Sequence, residues 1–144
     1  MAEYSANAVQ TVNPGESIIF TESPVPCTKG LVRHRDGTGN FLLSGGACPC
    51  GCRNKSSNYL IDFGANIAIP DGGTIEPISI AISLDGATIP TSDMIITPSA
   101  VNEYFNVSRA INARIWFNCC ETLTIRNTSS QPILVQNANV IFNR

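Results

Sequence analysis

In the segment Ile78-Ser-Ile-Ala-Ile-Ser-Leu84, large aliphatic residues alternate with Ser79, Ala81 and Ser83. A period of two marks a strand, because successive side chains leave an extended backbone on opposite sides. One side of this strand is bulky and needs a core; the other is small enough for a second sheet or subunit to approach closely. Asp85-Gly86 follows at once, a dipeptide suited to a tight hairpin, and Ala87-Thr-Ile-Pro90 makes the return.

Short apolar runs separated by turn chemistry fill the rest of the chain. Val9 to Val12 and Ser17 to Phe20 are parted by Asn13-Pro-Gly, and Leu31 to Arg35 and Asn40 to Ser44 flank Asp36-Gly-Thr-Gly. Tyr59 to Ile69 stops at Pro70-Asp-Gly-Gly. Met94 to Thr97, Glu103 to Val107, Ile111 to Phe117, Glu121 to Arg126 and Ile133 to Phe142 complete the series, with Asn127-Thr-Ser-Ser as a further hairpin turn. No segment convincingly reads as a helix. Short strands at this spacing predict an all-β sandwich or barrel.

At 144 residues the chain fits one domain with a self-supporting core. Residues 17–144 read as that domain. Residues 1–16 are small and polar, with Tyr4 and Val9 as bulky anchors, and read as an N-terminal arm or edge strand able to add to an adjacent subunit.

Charged residues make up 14% of the chain, the net charge is -2, and no basic run occurs, which argues against a nucleic-acid partner. No stretch approaches the length of a membrane span. Residues Met1 to Ala8 lack a basic region and an apolar stretch, so the expectation is synthesis in the cytoplasm without a signal peptide. No cofactor is called for.

Catalysis finds little support. The single histidine, His34, lies between Arg33 and Arg35 and reads as a surface strand residue. Asp62, Asp71, Asp85 and Asp93 are scattered, not grouped as a calcium loop or a carboxylate pair. Tyr104, Trp116 and Phe117 sit in alternating strands and suit a core or a subunit axis.

The six cysteines are Cys27, Cys48, Cys50, Cys52, Cys119 and Cys120. Three of them form Cys48-Pro-Cys-Gly-Cys52, in a loop between turn-rich segments. Cys119 and Cys120 are adjacent within a predicted strand, so one thiol is expected to face the core and the other a neighbour. All six are disulfide candidates; a zinc site would lack the usual paired C-x2-C knuckle, and no metal is assigned. Reducing conditions during synthesis place such bridges after release into an oxidising medium.

The runs Pro77-Ile-Ser-Ile-Ala-Ile-Ser-Leu-Asp-Gly-Ala-Thr-Ile-Pro-Thr-Ser92, Thr122 to Val135 and Ala138-Asn-Val-Ile-Phe142 resemble the tumour necrosis factor-like, complement-type jelly roll. They are most similar to bacterial spore-surface and phage-associated versions. The resemblance implies a jelly-roll β-sandwich of about 8 to 10 strands, a homotrimer around a threefold axis and no enzymatic activity. Candidate subunit contacts are Tyr4, Val9, Ser79, Ala81, Ser83, Tyr104 and Trp116. The expected role is a disulfide-stabilised structural subunit on the surface of a virion or spore, as a capsid decoration, fibre or spore appendage. Its expected partners are itself and a capsid or spore-coat protein. A recognition head for a receptor or glycan is the alternative.

Overall fold

A computed structural model describes residues 1–47 and 55–144. Two antiparallel six-stranded sheets pack as a jelly-roll β-sandwich. The strands are β1 (Ala2–Ala6), β2 (Gln10–Val12), β3 (Glu22–Val25), β4 (Val32–His34), β5 (Phe41–Ser44), β6 (Ser56–Ala68), β7 (Ile78–Leu84), β8 (Ala87–Thr88), β9 (Met94–Ile96), β10 (Phe105–Trp116), β11 (Cys120–Asn127) and β12 (Ile133–Asn143). One 3-10 turn, Pro90–Ser92, lies between β8 and β9. The first sheet runs β10-β6-β12-β1-β3, with β2 also on β12. The second runs β4-β5-β11-β7-β8, with β9 also on β7.

The alternation read in β7 places Ile78, Ile80 and Ile82 in the core at zero exposure. Asp85 and Gly86 take φ of 47° and 83°, the positive values a two-residue hairpin demands. β6 repeats the logic: Tyr59, Ile61, Phe63, Ala65 and Ile67 are buried, while Asn58, Leu60 and Asp62 are exposed. Each fully buried aliphatic or Phe side chain contributes about 1.5–3 kcal/mol before entropy is counted.

Several expectations change. The N-terminal residues are integral to the sheet: β1 lies between β12 and β3, with Ala2 opposite Phe142 and Ala6 opposite Ala138. The apolar positions Ala2, Tyr4 and Ala6 make this possible, because they fall on one face of an extended strand. β10 is one continuous strand, paired with β6 through Ser108, Arg109 and Ala110, where the sequence suggested a break. An edge strand needs only one apolar face, so polar residues there do not end it.

Asn127-Thr-Ser-Ser turns the chain from one sheet into the other, not back along the same sheet. Asn127 is 1% exposed; its Nδ2 donates to the carbonyls of Val12 and Gln131, each at 2.9 Å, and its Oδ1 accepts from Ser129 N at 2.8 Å. A buried amide with these partners fixes the corner. The twelve strands among the described residues exceed the expected 8 to 10 because β2, β4, β8 and β9 are pieces of two or three residues.

Candidate functional site

The long strands β6 and β10 give the first sheet a broad outer face. Alternation brings Asn58, Leu60, Asp62, Gly64 and Asn66 of β6 to the surface beside Arg114, Asn112, Ala110, Ser108 and Asn106 of β10, in that register. The residues are small or uncharged except for Asp62 and Arg114. A side chain at Gly64 would meet only ordinary contacts, with Val107 O 3.8 Å from the added carbon. Trp116 ends the row, 46% exposed, with the Arg114 guanidinium 5.9 Å from its ring centre. Low charge, small side chains and one exposed indole are features suited to protein contact.

The contact candidates fall into two groups. Val9, Tyr104 and Trp116 are exposed and available. Tyr4, Ala81 and Ser83 are buried within the subunit and cannot touch a second copy as the chain stands. Ala81 lies beside Arg126 in register, and Ser83 beside Thr124 and Thr88, so longer side chains close over the small face of β7. Ser79 is half-buried and held locally: its N–H donates to Ser129 Oγ at 2.7 Å, and its Oγ lies 2.7 Å from Thr128 Oγ1.

Tyr4 and His34 meet in an aromatic cluster that sequence reading did not anticipate. The His34 side chain is fully enclosed, correcting its expected place at the surface. Its ring stacks on Phe41 at 4.4 Å between centroids and stands edge-on to Tyr4 and Phe20. Nδ1 lies 3.0 Å from Asn40 O and Nε2 3.2 Å from Phe20 O, so both nitrogens lie against backbone carbonyls. The ring acts here as a structural tie. Burial, the largest influence on the Tyr4 phenol, raises its pKa. Position 34 falls on the same face of β4 as the buried Val32, and that period of two was the available signal.

Among the cysteines, Cys48, Cys50 and Cys52 lie outside the described residues. Cys27, Cys119 and Cys120 are free thiols, with no disulfide among the described residues. Cys119 and Cys120 are both exposed, against the expectation that one would enter the core. The reason is their place at the turn leaving β10: Asn118 takes φ of 61°, Cys119 N donates to Trp116 O at 3.1 Å, and only Cys120 belongs to β11. Cys27 is half-buried beside a cavity of about 220 Å³ that Lys29, Tyr59 and Arg144 also line. Burial acts to raise its pKa, but hydrogen bonds from the backbone of Val32, Leu31, Lys29 and Gly30 outweigh it and leave the thiol below its ordinary value. No group of three metal-ligating side chains occurs among the described residues. No helix among them is long and apolar enough to cross a membrane.

No protein-family model matches the chain, and no curated protein matches its sequence. Solved structures do match the fold. The globular domain of zebrafish complement 1qA protein aligns with a TM-score of 0.61 and 10% identity, covering 97% of this chain and 94% of that one. The Eiger TNF from S. frugiperda aligns with a TM-score of 0.67 and 10% identity, covering 99% of this chain and 90% of that one. The chain therefore has the tumour necrosis factor-like jelly-roll fold.

Proposed function

We propose that the protein is a non-enzymatic structural subunit that self-assembles into homotrimers, with the outer face of the β6–β10 sheet as the contact between copies. The observation that carries this reading is that face itself. Gly64, Ser108 and Ala110 keep it low, only Asp62 and Arg114 charge it, and Trp116 stands exposed at its end. Such a surface costs little to desolvate and offers an aromatic anchor. The resemblance of the sequence to trimeric jelly rolls supports the same stoichiometry.

The assembly belongs on an outer surface, a virion or a spore, where a capsid or coat protein is the second partner. Exposed Cys119 and Cys120 then become available for bridges between subunits once the medium is oxidising. The test is the mass of the reduced protein by light scattering, for the natural sequence and for Ala110→Arg. Ala110 is exposed, so the subunit tolerates the change, while a guanidinium on the flat face blocks close approach. Trimers that become monomers support the reading. A monomeric natural protein, or an unaffected variant, ends it.

A further inference from the structure

The outer face of the other sheet carries a different chemistry. Arg33 points outward from β4, between the inward Val32 and His34, and pairs in register with Leu42 of β5; Leu42 pairs in turn with Thr122 of β11. Arg35 and Asn40, both exposed, extend the face toward Thr38. These residues line an open groove of about 430 Å³. Farther along β11 on the same face stand Thr124 and Arg126, opposite Ser83 and Ala81 of β7.

Two observations indicate that this face lacks a partner. First, no arginine or lysine among the described residues forms an ion pair with a carboxylate, so the guanidiniums of Arg33, Arg35 and Arg126 are without one there. The nearby acids hold other donors: Asp36 accepts from Ser23 Oγ at 2.9 Å, and Asp85, at the edge of the groove, from Thr122 N at 2.7 Å. Second, farther along β11 on the same face, beyond the groove lining, Thr124 Oγ1 and Arg126 Nε are buried without a hydrogen-bond partner.

We infer that this groove binds an acidic polysaccharide, with guanidiniums taking its carboxylate or sulfate groups and Thr38, Asn40 and Thr122 bonding its hydroxyls. Arg33 on β4 and Arg35 just after its end are both exposed and two residues apart, which suits anionic groups repeated on an extended chain. The one aromatic ring in the groove's lining, His34, is fully enclosed and offers no exposed platform, which argues against stacked bases of a nucleic acid. Because the groove lies on the sheet opposite the proposed subunit contact, the two readings stand or fall separately. In a trimer, three grooves would add avidity to a weak single site.

The test is calorimetric titration of the reduced full chain with heparin and with polygalacturonate, using neutral dextran and poly-glutamate as controls. Expected is binding of at least one acidic polysaccharide that weakens at higher salt, no binding of dextran, and weaker binding of poly-glutamate. The double variant Arg33→Ala/Arg35→Ala should lose at least tenfold in affinity, while Lys29→Ala, outside the groove, should not. Thr122→Glu, which keeps both arginines and places a carboxylate in the groove, should show the same loss; each variant's melting temperature is checked first. Absence of binding, equal binding of poly-glutamate, or undiminished binding by both groove variants would overturn the proposal. Loss of trimers alone would leave it intact.

Discussion

Tyr4 stands edge-on to His34 with 4.9 Å between ring centroids, so the first strand of one sheet is joined to β4 of the other through the centre of the core. Phe41 and Phe142 complete the contact, at 5.0 and 6.1 Å from the Tyr4 ring. Truncating Tyr4 to Ala is expected to cost about 3–5 kcal/mol, as for other large aromatics in a packed core. Val9→Ala, at an exposed position, should change stability by less than about 0.5 kcal/mol. Urea unfolding of both variants checks this; equal midpoints would show that β1 is not fixed in the sheet.

Asn127→Ala removes both donors from the corner between β11 and β12 and leaves the Val12 and Gln131 carbonyls without them. A loss of about 1–3 kcal/mol is expected. Asn106→Ala is the comparison, since its amide bonds to Asn66 Oδ1 at 3.1 Å on an exposed surface. Thermal melts should separate the two clearly.

Gly45 is fixed by close approach. Its N–H donates to Cys119 O at 3.0 Å, and an added Cβ would collide with the Trp116 carbonyl. Gly45→Ala should therefore destabilise the protein by about 1–3 kcal/mol, through displacement of backbone. Gly64→Ala, with only ordinary contacts, should be mild. If the Gly45 variant melted at the natural temperature, the contact between β5 and the turn after β10 would be disproved.

Cys27 should show its backbone cradle as a pH dependence. Its folded pKa lies below the 9.0 of an ordinary thiol, so the folded state releases the proton first. The stability this adds is fully present above pH 9.0 and disappears as pH falls through the folded pKa. The melting-temperature difference between the natural protein and Cys27→Ala should therefore widen as pH rises through that window. Iodoacetamide labelling followed by peptide mass spectrometry should show Cys27 alkylation persisting below the pH range of a free thiol. A pH-independent difference would contradict the cradle.

Cys119 and Cys120 should both react with a thiol reagent in the folded, reduced protein, because both are exposed. Labelling of only one before denaturant is added would restore the idea that the pair divides between core and surface.

The sequence was most informative where one residue in two meets the core. β7 was found with its exact ends, and the jelly-roll sandwich followed from strands and turns in series. It was least informative where burial depends on distant partners. Tyr4 looked like an isolated anchor because Phe41 and Phe142, which surround it, lie far along the chain. Ala81 and Ser83 looked available because nothing local reveals that Arg126 and Thr124 will stand beside them. The proposed contact face of β6 was implicit in Asn58, Leu60, Asp62, Gly64 and Asn66, a half of the alternation that is polar or small except for Leu60, and whose buried half was easier to see.

The pairing of Ala2 with Phe142 also has a consequence for biosynthesis. β1 is made well before β12 but finds its main neighbour only when β12 has left the ribosome. Until then β6, which will lie on the other side of β12, also lacks that neighbour, and apolar faces of the first sheet remain uncovered. Completion of the first sheet therefore falls to the closing strand, which inserts between two waiting partners.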